Sequence, residues 1–147
     1  MILGGSYLQF EFIKSVNLLK YDFKIIDQNQ HCYSSKYFKH NLVIIDFSDF
    51  NKILKYAKSY NPDAIFSPVN ELGNIIAAKL SKKLNLKYND PNVVIDTNDK
   101  ALQRRKIQSS DLFSPKFQNG IKYSDFDLDQ FSFPVVIKPS NRSASRG

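Results

Sequence analysis

From its first residue to Tyr88 the chain alternates short apolar runs of strand length with segments of helical period, and few architectures accommodate that rhythm. The runs are residues 1–5, 22–26, 42–45, 64–66 and 84–88. Between them Phe10, Ile13, Val16 and Leu19 recur at roughly helical spacing, as do Phe50, Ile53, Leu54 and Ala57, and then Leu72, Ile75, Ile76, Ala78 and Leu80. Repeated βα units of this kind predict an α/β fold with a Rossmann-like parallel sheet. Ser48 is placed to cap the helix after the third run, and Asn61-Pro62-Asp63 stops it. Residues 28–41, polar and aromatic without a period, read as a surface excursion. Asn89-Asp90-Pro91 reads as a turn, with Thr97 or Asn98 capping a further helix that begins near Asp99.

After Asp111 the rhythm stops. Pro115-Lys116-Phe117, a turn at Gly120, an acidic stretch and an apolar strand over residues 133–139 follow no βα pattern. The predicted division is a sheet domain over residues 1–96, a linking helix over 97–111 and the opening piece of a second domain over 112–147. A chain of 147 residues has room for one full domain and not for two of typical size, so the second is expected to be incomplete.

Composition narrows the function classes. With 42% hydrophobic and 14% aromatic residues the chain reads as globular rather than disordered. Its longest apolar stretches, such as Leu42-Val43-Ile44-Ile45, are too short to span a bilayer, and residues 1–5 lack the charged start and long apolar run of a signal peptide. A cytoplasmic protein is expected, with no membrane partner. The single cysteine, Cys32, makes no internal disulfide and agrees with a reducing compartment. A formal charge of +7 invites a nucleic-acid reading, but the lysines are scattered and only Arg104-Arg105-Lys106 is dense, so no nucleic acid is expected.

Two places carry candidate chemistry. Gly4-Gly5-Ser6 falls where a first strand turns into a helix, where backbone amides and a positive helix end could meet an anion. A tight turn that merely needs glycine reads equally well, because neither G-x-G-x-x-G nor the phosphate-loop lysine motif occurs and Asp27 ending the second run is only partial support for a ribose contact. The second place is Lys138. It ends an apolar run, where an ammonium is normally exposed or paired, and Ser143-Ala144-Ser145-Arg146-Gly147 follows it with side chains small enough for main-chain amides to close over phosphate oxygens.

Asp99-Lys100, Arg104, Ile107, Leu112-Phe113-Ser114-Pro115, Phe133-Pro134-Val135-Val136-Ile137-Lys138-Pro139-Ser140 and the Ser143 to Gly147 loop together resemble the opening of the ATP-grasp fold. The preceding part, with Gly4-Gly5-Ser6, Gln9 and Asp27, is similar to the pre-ATP-grasp domain of biotin carboxylase, the carbamoyl phosphate synthetase large chain and related carboxylate-amine ligases. The resemblance implies that Lys100 and Lys138 contact ATP phosphates, and that Ser140, Ser143, Ser145, Arg146 and Gly147 belong to the loop that folds over them. Arg104 matches a basic position of the same helix. The resemblance further implies magnesium, activation of a small-molecule carboxylate as an acyl phosphate, and attack by an amine. Gly5, Ser6 and Gln9 would face the acceptor substrate, and Glu71, at the carboxyl edge of the sheet, is a further substrate candidate. Lys20 and Asp111 stand where relatives commonly have glycine, and Ala144 replaces the middle glycine of the loop. The resemblance implies that the adenine strand, the metal-binding acidic and asparagine residues and the final catalytic basic residue would lie past Gly147, so the chain alone is expected to be an inactive part of a ligase. The alternative is a non-catalytic small-ligand-binding or assembly module with a Rossmann-like fold; several helical faces are apolar enough to support a homodimer.

Other constellations read as structural. His31, Cys32 and His40 lack a fourth zinc ligand, and Asp125, Asp127 and Asp129 start a calcium-loop pattern that Gln130 and Val136 break. No G-x-S-x-G nucleophile turn occurs.

Overall fold

The structure is a computed structural model and describes residues 1–141. Two compact units divide the chain, one from Met1 to Val94 and one from Ile95 onward. The first unit is α/β. Strands β1 (Ile2–Leu3), β2 (Ile25–Asp27) and β3 (Leu42–Ile44) form a parallel sheet with β2 in the middle, Ile2 opposite Ile25 and Ile25 opposite Leu42. On the other side of β1 the predicted fourth strand is reduced to a single parallel bridge, in which Phe66 N donates to Met1 O at 2.9 Å and Leu3 N donates to Phe66 O at 2.7 Å. Asn61 (φ 50°) and Val69 (φ 57°), both left-handed, bend the chain on either side of it.

Successive strand residues face opposite sides, and the cores follow that alternation. Ile2 and Ile25 enter one cluster with Ile13 of α1 (Tyr7–Leu18) and Phe23. Leu3 and Ile26 enter another with Ile53 of α3 (Phe50–Tyr60), Ile65, and Leu80 of α4 (Glu71–Lys83). The sheet is therefore covered on both faces, and each fully buried Ile or Leu contributes roughly 1.5–3 kcal/mol of transfer free energy. Leu19, expected on the apolar face of α1, falls just past the helix end and is exposed. The next residue, Lys20, takes φ 60°, a conformation that glycine adopts without strain.

Several local expectations are corrected. Asp49, not Ser48, caps α3, its carboxylate accepting from Lys52 N. The excursion over residues 28–41 is no mere surface loop: it holds the short helix α2 (Ser35–Phe38), a 3-10 turn at Lys39–Asn41, and buried Cys32 and Ser34. Residues 84–88 form no strand, because Asn85 takes φ 55° and Leu86 N turns back to Ser81 O at 2.8 Å, closing α4. Tyr88 instead donates its hydroxyl to Asn74 at 2.6 Å. The turn at Asp90 opens a helix, α5 (Pro91–Asn98), with Asp90 accepting from Asn92 N and proline in the first turn.

In the second unit, α6 (Lys100–Gln108) is capped by Asp99, which accepts from Ala101 N and Leu102 N, rather than by Thr97 or Asn98. Lys106 pairs with Asp96. Beyond α6 come 3-10 turns at Tyr123–Asp125 and Leu128–Gln130. The apolar run over 133–139 is not a strand: a strand exists through its ladder, and no described segment pairs with it, so Val136 and Ile137 are 84% and 91% exposed. No described helix is long and apolar enough to cross a membrane.

Candidate functional site

The sheet places β2 and β3 to one side of β1 and the Phe66 bridge to the other, so the strand order reverses at β1. In open α/β sheets ligands bind at that reversal, outside the carboxyl ends of the strands. Gly4-Gly5-Ser6 after β1 and residues 67–71 after the bridge stand at that place.

Gln9 ties the two loops together. Its Oε1 accepts from Ser6 N at 2.9 Å and its Nε2 donates to Pro68 O at 3.1 Å, while Ser6 Oγ also bonds Oε1. At 2% exposure Gln9 acts as a brace, fixing the entry to α1 in a capping box. The Gly5 amide donates to Asp27 Oδ2 at 2.8 Å, and the other oxygen of Asp27 accepts from Asn29 N. Asp27 thus locks the turn after β1 to the end of β2. Glu71 lies exposed in the first turn of α4, whose cap Asn70 accepts from Gly73 N at 2.8 Å. Phe12, Phe66, Ser67, Pro68 and Tyr88 line a crevice of about 120 Å³ beside this turn.

Both glycines of the turn have structural reasons. Gly4 takes φ 99°. A Cβ on Gly5 would lie 2.6 Å from Cys32 Sγ and 3.1 Å from Ile25 Cγ2. Burial pushes the Cys32 thiol pKa up, so this sulfur packs rather than reacts. Gly5→Ala is expected to cost about 1–3 kcal/mol through overpacking, with Cys32→Ala in the same chain recovering part of the loss. A urea-denaturation cycle over the four variants measures this; strict additivity would remove the packing explanation.

In the second unit Lys100 stands at the start of α6. Its amide donates to Ser140 O at 2.8 Å, and its ammonium donates to Pro139 O at 3.1 Å and Ser140 O at 3.3 Å. The structure therefore brings Lys100 to the segment that carries Lys138, whose own side chain is exposed. Arg104 is partly exposed on the same helix. Ser143, Ser145, Arg146 and Gly147 lie outside the described residues. Sequence alone does not single out Ser67 or Pro68, which reach the turn only through contacts such as Gln9 to Pro68, 59 residues apart.

No protein-family profile matches the sequence, and neither does any curated protein. Solved structures match its fold, and they are ATP-grasp ligases. An L-amino acid ligase from Bacillus licheniformis superposes with TM-score 0.77 at 17% identity, over 96% of this chain and 36% of that one. Phosphoribosylglycinamide synthetase from Anaerococcus prevotii gives TM-score 0.62 at 18% identity, over 74% and 28%. N5-carboxyaminoimidazole synthetase from Staphylococcus aureus, solved with ADP, gives 0.55 at 20%, also over 74% and 28%. The chain thus has the fold of about a third of such ligases.

Proposed function

We propose that this chain is part of an ATP-dependent ligase that joins a small-molecule carboxylate to an amine. Lys100 and Lys138 hold the ATP phosphates, with Ser140 and the loop from Ser143 to Gly147, through Ser145 and Arg146, closing over them. Ser6 and Glu71, both exposed, make the acceptor-substrate contacts, while buried Gly5 and Gln9, expected there from the sequence, have their polar groups engaged by Asp27, Ser6 and Pro68 and shape the turn behind them. The observation that carries the reading is Lys100 seated on the carbonyls of Pro139 and Ser140, which joins the two lysine-bearing segments. Lys100 and the exposed Lys138 bring two ammonium groups whose charge would balance that of a triphosphate. ATP would supply a phosphoryl group that converts the carboxylate into an acyl phosphate, from which the amine displaces phosphate. Magnesium would neutralise the charge on the phosphates in the complete ligase; among the described residues no group of three acidic, histidine or cysteine side chains is placed to hold it.

In a ligase containing this chain, Lys138→Ala is expected to lower turnover about 100-fold or more, because a preorganised charge on the transferred phosphoryl is lost. Unchanged ATP affinity and turnover in that variant would remove the assignment. The alternative, an assembly module that homodimerises or takes another protein through its second unit, is favoured by the exposure of Phe113, Ile121, Val136 and Ile137. It predicts a concentration-dependent dimer or partner complex with no ATP binding.

A further inference from the structure

A second binding place lies in the first unit, away from the Gly4-Gly5-Ser6 turn. A cavity of about 580 Å³ opens between the start of α3 and the outer side of α4. Lys79, Lys82 and Lys83 line it together with Ser48. Phe50, Ile76 and Pro91 supply the apolar wall. The volume falls in the range of small-molecule sites, which combine an apolar lining with a few polar groups that fix orientation.

The charges are the informative part. At spacings of three and four residues, Lys79, Lys82 and Lys83 project from neighbouring positions of one helix, and Lys79 and Lys83 repel each other. Lys82 is neutralised by Asp90 at 3.0 Å. Lys79 and Lys83 have no ion pair among the described residues. Asp46 accepts from both the amide and the hydroxyl of Ser48 and lies in the field of Lys52, and Asp49 accepts from Lys52 N, so neither is paired with Lys79 or Lys83. Two lysines without an ion-pair partner among the described residues therefore line a cavity whose apolar side is a phenylalanine ring, an isoleucine and a proline.

We propose that this cavity binds a small phosphate monoester carrying a flat ring. The dianion sits between Lys79 and Lys83, and the ring lies on Phe50, Ile76 and Pro91. The site is independent of the ligase reading, since it uses none of the residues assigned to ATP or to the acceptor.

Phenyl phosphate is the probe, followed by amide chemical shifts of the isotope-labelled 147-residue chain. Saturable shifts are expected at Ser48, Phe50, Ile76 and Lys79, with inorganic phosphate and phenol each binding about tenfold more weakly because each offers half of the recognition. The surface double variant K79Q/K83Q is expected to weaken phenyl phosphate by about tenfold, and K14Q, on α1, to leave it unchanged. Absence of saturable shifts overturns the proposal. So do equal binding of phenol, an equal effect of K14Q, or shifts confined to Lys100 and Ser140, which would report the ATP-phosphate site instead.

Discussion

Gly73→Ala is expected to destabilise the first unit by about 2–3 kcal/mol, against the usual trend for glycine in a helix. In an open helix position the same change stabilises by about 1 kcal/mol, through backbone entropy alone. Here a Cβ would lie 2.0 Å from Ser67 Oγ and 3.0 Å from Ser67 Cβ. The serine cannot swing aside without loss, because its buried hydroxyl donates to Leu3 O at 3.0 Å and helps fasten the bridge segment to β1. Ser67→Gly in the same chain removes both clashing atoms, so the double variant should be less destabilised than the sum of the singles. Urea midpoints of the four chains measure the coupling; a Gly73→Ala chain as stable as the parent would mean that α4 does not press on the Ser67 turn.

The second large effect is kinetic. Amide hydrogens of β1, β2 and the inner turns of α3 and α4 are expected to exchange at least about a thousandfold more slowly than those of residues 112–138, since protection follows burial and ladder bonding. The first unit buries Leu3, Ile13, Ile25, Ile26, Ile53, Ile65 and Leu80 at 1% exposure or less. In the second, Ala101 is the buried apolar residue among those described, while Phe113, Ile121, Val136 and Ile137 are each more than 80% exposed. Exchange read by mass spectrometry at residue resolution decides the matter. Comparable protection in both stretches would show that residues 112–138 have found a packing partner, as the assembly reading requires.

What the sequence made legible was set by distance along the chain. The βα rhythm located the strands and the three long helices because strand and helix periods are local properties. Three misplacements were also local but hinged on one residue each. Asn85 in the left-handed region ended an expected strand, and Asp49 and Asp99 took caps assigned to their neighbours, a shift of one or two positions within one preferred residue class. Asp90-Pro91 carries the signal for α5 as well as for a turn, since a capping aspartate followed by proline fits both. The excursion over 28–41 was illegible for a different reason. Its burial comes from Ser34 N bonding Gly5 O, a contact between segments that nothing local announces. The same holds for the candidate site, where Gln9 as a brace and Asp27 as a lock depend on partners 59 and 22 residues away. The run over 133–139 has strand composition without a strand, because composition supplies propensity and only a neighbour supplies a ladder.

The central position of β1 bears on how the protein is made. Its backbone bonds run on one side to residues near Lys24 and Ile26, and on the other to Phe66, with the Met1 amine reaching Ala64 O across 63 residues. A ribosome adding about 5–20 residues per second needs several seconds to supply that second neighbour. Through that interval an apolar strand sits at the growing sheet's open edge, so the birth of the chain, rather than its finished state, is when this fold is most exposed to mispairing.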